Sequence, residues 1–206
     1  MRRERLGQNH DRPASAGTLP PVGILRIGAS SALLNQDAYY LDHPELTFEE
    51  RTKLNYDEPF IFDHDLLYQD ARMLMAGQSV TRKAYDFTQH RRTESSEIIK
   101  PADVLIVEGI HAFFDERLTK MMFLKLYINV EPDICLLRRI KRDIRDRGRQ
   151  IENIGEQYLT TVKPMYEKYI RNYVNDADVI VTRGGKNARI VEILAGYLRD
   201  ELNKKA

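Results

Sequence analysis

Four short apolar runs stand out along the chain, at Ala32–Asn35, Val104–Val107, Leu124–Val130 and Val179–Thr182. Each is short and aliphatic enough to be a buried strand. Between them apolar positions recur at helical spacing, and strands alternating with helices predict an α/β domain on a mainly parallel sheet. The helix ends are marked. Thr47-Phe48-Glu49-Glu50 has the form of a capping box, Pro132 suits a first helical position, and Asn187 can cap a last helix reaching about Leu202. Tyr85 to Arg92 reads as a polar connection between a helix and a strand. The chain shows no internal repeat and no low-complexity tract.

The first 36 residues break this pattern. Arg2, Arg3, Arg5, Arg12 and Arg26 outnumber Glu4 and Asp11, and Pro13, Pro20 and Pro21 interrupt the segment. Residues 1–21 have neither a helical nor an alternating apolar period, so residues 1–29 read as a disordered leader to a domain at 30–206. No apolar core follows the arginines, which argues against a secretory signal. A length of 206 residues suits one domain with its own core. A net charge of +1 excludes a globally basic, nucleic-acid-binding surface, and no apolar run approaches the roughly 20 residues of a membrane span. Cys135 is the single cysteine, which rules out a disulfide framework or a cysteine-based zinc site and fits the cytoplasm.

Candidate chemistry clusters in three places. Glu108 closes the run Val104–Val107 and precedes Gly109, while Asp37 follows Ala32–Asn35 in the same way. A lone acid at such a place reads most simply as a loop cap, but two at equivalent strand ends point to one crevice, where open α/β sheets bind ligands. Residues 138–149 hold seven basic and two acidic side chains, and helical spacing puts Arg138, Arg142, Arg145 and Arg149 on one face. A solvated face is the ordinary reading of such a run. Its density favours a small phosphorylated ligand, and no aromatic residue is interleaved for base stacking. Tyr85, Phe87, His90, Arg91 and Arg92 could hold a planar heterocycle. Phosphoryl transfer would use such parts, yet it also needs a phosphate cradle, and the sequence contains no Gly-x-x-x-x-Gly-Lys-Ser/Thr.

In order and spacing, several segments strongly resemble the uridine kinase family of P-loop nucleoside kinases. They are Gln36-Asp37-Ala38-Tyr39-Tyr40, Thr47 to Arg51, Asn55 to Pro59, Tyr85-Asp86-Phe87 with His90, Val107-Glu108-Gly109-Ile110, Arg138 to Asp143 with Arg147-Gly148-Arg149, and Gln157 to Tyr166. The resemblance covers about residues 32–206. It implies a P-loop kinase-like fold with an arginine-rich lid, and transfer of the γ-phosphate of ATP or GTP, with Mg²⁺, to the 5′-hydroxyl of uridine or cytidine in pyrimidine salvage. It also implies a homo-oligomer, commonly a tetramer, with no nucleic-acid or membrane partner. Carried over by residue, Asp37 is the catalytic acid and, with Glu108, holds Mg²⁺. Asp57, Tyr85, Phe87, His90, Arg139, Arg149 and Gln157 bind the nucleoside, and Arg142 and Arg147 lie near phosphates.

The departures from the family pattern are Ala38 for a serine, Glu58 for a histidine, a missing proline before Tyr85 and, above all, the absent first strand and P-loop. A non-catalytic nucleoside-binding relative and a nucleic-acid-binding domain are therefore the competing readings. In the fold so resembled, the strand before the P-loop is central to the sheet, and the substitute available is Val22–Ile27, which contains Arg26.

Overall fold

The computed structural model describes residues 29–182, 184 and 187–204. All of the expected leader except Ala29, and the substitute strand at 22–27, lie outside the described residues. The chain enters strand β1 (Ser31–Asn35), makes a 3₁₀ turn over Gln36–Tyr39 and a short helix α1 (Phe48–Arg51), and then forms α2 (His64–Met75). Strands β2 (Val80–Asp86), β3 (Arg91–Ile99) and β4 (Val104–Glu108) follow. After α3 (Glu116–Thr119) come β5 (Leu126–Asn129) and the long α4 (Pro132–Arg147). Helix α5 (Ile151–Gln157) runs through a π-helical turn, Tyr158–Val162, into α6 (Lys163–Lys168). Strand β6 (Val179–Thr182) and α7 (Ala188–Asn203) complete the described chain.

The four expected strands are present as two parallel pairs. β1 pairs with β4 from Ser31↔Val104 to Asn35↔Glu108, and β5 pairs with β6 from Leu126↔Val179 to Asn129↔Thr182. Among the described residues no strand joins the two pairs. The capping box at Thr47 forms with both of its reciprocal hydrogen bonds, Pro132 opens α4, and the Asn187 side chain caps α7.

The reading of Tyr85–Arg92 as a connection between a helix and a strand is corrected by the hairpin β2–β3, whose tip these residues form. Its strands lack clean apolar alternation because ion pairs join them: Arg82 pairs with Glu97, and Lys83 with Glu94. One core lies between β1, α2 and the base of the hairpin, where Leu34 and Leu67 are fully buried and Val80 and Ile99 close the far side. A smaller aromatic cluster of Tyr40, Ile61, Phe62 and Tyr85 sits beside it. No side chain of α7 is buried.

Candidate active site

Asn35 ends β1 and turns its side chain back on the chain, where Oδ1 accepts the Asp37 backbone N–H at 2.7 Å. This tight turn sets Asp37 just beyond the strand. Gln36 is fully buried and its Oε1 accepts the His111 N–H at 2.9 Å, which ties the end of β1 to the loop after β4. Position 109 must be glycine for this contact, because a Cβ there would lie 2.4 Å from Gln36 Cβ and Oε1. Register places Glu108 beside Asn35.

Burial first, and the nearby charge of Asp37 second, push the Glu108 carboxyl up to about 7. Its Oε1 is buried without a hydrogen-bond partner. Two facing carboxylates with an unpartnered oxygen fit a hydrated Mg²⁺, which takes one or two carboxylates and keeps several waters. Among the described residues no cluster of three or more His, Cys, Asp or Glu could form an all-protein cage.

A second carboxylate site is built around Asp57. The loop fixes it through Asn55 Oδ1, which accepts the Asp57 N–H at 3.1 Å. Asp57 is 8% exposed, with Oδ1 accepting from Arg139 Nη1 at 3.4 Å and Oδ2 from the Thr161 hydroxyl at 3.3 Å. Gln157 Oε1 bridges Arg139 and Arg149, accepting from them at 3.3 and 2.6 Å. The π-helical turn carries Thr161, and such insertions occur frequently at functional sites.

Fully buried His111 secures the same loop. Its Nε2 lies 2.9 Å from the Asp57 carbonyl, which can only accept, so Nε2 carries the proton and Nδ1 accepts from the Tyr173 hydroxyl at 2.9 Å. Burial holds the imidazole below its usual range and therefore neutral.

Helix α4 ends at Gly148, which adopts the left-handed conformation at φ 62°. Arg149 is therefore off the helix, which corrects the expectation that Arg138, Arg142, Arg145 and Arg149 share one helical face. Arg139, Arg142 and Arg149 instead converge on fully buried Asp143, at 3.7, 2.8 and 3.9 Å. Arg145 pairs with its exposed neighbour Asp146 at 2.6 Å. The Arg147 side chain lies outside the described residues.

The aromatic residues form a wall at the hairpin tip. Asp86 Oδ1 accepts from the Thr88 N–H and hydroxyl and from the Gln89 N–H, which shapes the turn, and His90 follows at φ 50°. Tyr85 lies 4.9 Å from Tyr40 and 5.4 Å from Phe87, while His90 stacks on Tyr56 at 4.7 Å. Burial pushes the Tyr85 hydroxyl well above its usual range, so it is a neutral hydrogen-bonding group.

Asp37, Asp57, Tyr85, Phe87, Glu108, Arg139 and Arg142 all border one cavity, which His90, Arg149 and Gln157 do not line. Sequence reasoning missed Thr161, His111, Tyr40 and Tyr56. Tyr40, Tyr56 and Thr161 were legible, since each lies within a quoted motif. His111 carries no local signal, because its Asp57 and Tyr173 partners are 54 and 62 residues distant.

A model of the phosphoribulokinase/uridine kinase family matches residues 18–189. A uridine kinase of Staphylococcus epidermidis strain RP62A is 42% identical over 178 residues, 86% of each chain. A uridine kinase of Macrococcus caseolyticus is 44% identical over 167 residues, 81% of each chain. Among solved structures, one assigned to a fructose transport system kinase from Silicibacter sp. TM1040 superposes with a TM-score of 0.55 at 18% identity. It covers 66% of this chain and 70% of that one, and the likeness is one of fold.

Proposed function

Since the chain belongs to the phosphoribulokinase/uridine kinase family, we propose that it is a nucleoside kinase of the uridine kinase type, acting on the 5′-hydroxyl of uridine or cytidine. The observation that carries this reading is the buried Asp57 carboxylate, held by Arg139 and Thr161 beside the aromatic wall. A carboxylate so placed accepts hydrogen bonds from a pair of ribose hydroxyls, and Arg139 and Gln157 supply a donor and an acceptor alongside it. Tyr85 and Phe87 flank the base, and His90 reads its edge from the hairpin tip. Asp37 takes the proton of the 5′-hydroxyl as that oxygen attacks. Asp37 and Glu108 hold Mg²⁺, which when bound neutralises charge on the transferred phosphate. Arg142 borders the same space, and the family motif assigns Arg142 and Arg147 to the phosphates of the donor, ATP or GTP. A cytoplasmic homo-oligomer without nucleic-acid or membrane partners completes the reading. No described helix is long and apolar enough to cross a membrane.

The donor side does not fit as well. Neither the sequence motif nor a glycine-rich backbone nest for a triphosphate exists among the described residues, so the nucleoside side carries the reading. Calorimetric titration tests the proposal. Uridine or cytidine should bind far more tightly than Mg-ATP, and tight Mg-ATP binding with no nucleoside binding would overturn it. Asp37→Asn should leave uridine affinity nearly unchanged while lowering phosphorylation by about 10²–10⁴-fold, the range for a positioned general base.

A further inference from the structure

The sequence groups Arg92 with residues that could hold a planar heterocycle, but in the structure Arg92 does not border the cavity. Its guanidinium is engaged elsewhere. Nε donates to the Tyr40 carbonyl at 2.9 Å, and Nη2 donates to Asp63 Oδ2 at 3.3 Å. Asp63 Oδ1 in turn caps α2 by accepting the Leu66 N–H at 3.0 Å. One side chain of β3 thus holds both the chain leaving the turn after β1 and the start of α2.

Both ends of this link matter to the site. On the hairpin, Arg92 is paired directly opposite Tyr85, so the two side chains leave the same face of the ribbon. The register shifts between Lys83 and Tyr85, an irregularity of the kind that re-aims a side chain. At the other end, Tyr40 follows the 3₁₀ turn that carries Asp37. That turn is anchored on its inner side: the fully buried Tyr39 donates its hydroxyl to Asp70 Oδ2 at 2.8 Å, and its carbonyl accepts the Asp63 N–H at 2.7 Å. Just beyond, the Leu41 N–H donates to the Ile61 carbonyl at 2.8 Å.

With the nucleoside reading as premise, we propose that Arg92 is a positioning residue: it fixes the hairpin that bears the base wall to the turn that bears Asp37, so that base and 5′-hydroxyl are received at one separation. A nucleoside spans a set distance between its base and its 5′-oxygen, and about 1 Å of misplacement costs on the order of 10²-fold in rate. The link must therefore be stiff. Arginine supplies two donors from one planar edge, which lysine cannot. The Arg92 side chain is only 18% exposed, and a charge so placed carries a desolvation cost that an apolar side chain would avoid.

Hydrogen exchange of the full chain with uridine, at about ten times its dissociation constant, reads this coupling. If opening of the turn also breaks the base site, bound ligand slows exchange by one plus the ratio of ligand to dissociation constant, about 11-fold. The Asp63 and Leu41 amides of the unmodified chain should show that slowing. Arg92→Met and Arg92→Lys, each at about ten times its own dissociation constant, should show less than about 2-fold. Lysine keeps the stem and the charge, which separates loss of the fork from loss of the fold. In uridine phosphorylation both variants should lose about 10–100-fold in kcat with KM changed under about 3-fold. Full slowing in either folded variant would overturn the proposal, as would a loss confined to KM. A chain that binds no uridine at all would instead overturn the nucleoside reading, and this inference with it.

Discussion

Leu34 and Leu67 retain no exposed surface, whereas Ile180, Ile193 and Tyr197 keep 49%, 57% and 45% of theirs. The first two belong to the part of the molecule built on β1, β4, α2 and the hairpin, the other three to the part built on β5, β6 and α7. Both parts have the same apolar patterning, and both contain a parallel strand pair. They differ in cover. Among the described residues, α2 packs against β4 and the hairpin lies beside the turn after β1, while β5 pairs with β6 alone. Parallel strands are built for burial on both faces, so the same apolar pattern gives fully buried side chains where described layers cover it and half-exposed ones where they do not.

Stability measurements sharpen that contrast most. Leu34→Ala should cost about 2–5 kcal/mol in urea denaturation, because the fully buried site cannot collapse completely. Ile193→Ala should cost under about 1 kcal/mol, since a side chain that keeps 57% of its surface exposed loses little on truncation. Equal costs at both positions would erase the distinction between the two parts.

Smaller effects are expected where the parts meet. Arg139 and Gln157 come from the β5–α7 side and Asp57 from the packed side, so nucleoside affinity measures their alignment. Asp57→Asn should weaken uridine binding about 10–100-fold, the equivalent of one charge-assisted hydrogen bond. His111→Leu should weaken it about 3–10-fold through the loosened Asp57 loop. An unchanged dissociation constant for Asp57→Asn would remove Asp57 from the site.

The smallest effect is a pH dependence at the seam. The Glu108 carboxyl titrates near 7 in the folded chain, above its ordinary 4.5, so the folded state holds the proton more tightly. The stability this contributes is fully present below about 4.5 and is lost as pH rises through about 7. Melting temperature without divalent cations should therefore fall over that window, and Glu108→Gln should flatten the profile. Added Mg²⁺ should raise the melting temperature mainly above pH 7, where the carboxylate is ionised.

The sequence was most readable where signals are local. Strand runs, the Thr47 capping box, the Asn187 cap and the strand-end acids all depend on residues within a few positions of one another. The hairpin was hidden because cross-strand charge pairs replaced apolar alternation, and a pattern of alternation is what identifies a half-buried strand. The arginine run misled for a different reason: periodicity assumes that the helix continues, and Gly148 ends it one residue before Arg149. His111 could be recognised only after folding had brought it to Asp57. Asp37 and Glu108 were paired by their places at equivalent strand ends, and the family motifs added Asp57, a long-range pairing that composition cannot supply.

The tie between Ser30 and Asp103 spans 73 residues, and that between Lys125 and Asp178 spans 53, whereas Arg82 and Glu97 in the hairpin are 15 apart. Loop closure of this kind orders events in time: the hairpin and α2 can form early, and the parallel pairs must wait. During synthesis at roughly 5–20 residues per second, β1 leaves the ribosome about 4–15 s before β4 exists to receive it. For that interval Leu34 has no partner strand and Asp37 no opposing acid. The crevice between Asp37 and Glu108 is thus a late product of folding, and until β4 arrives the edge of β1 that it pairs with is open to other strands.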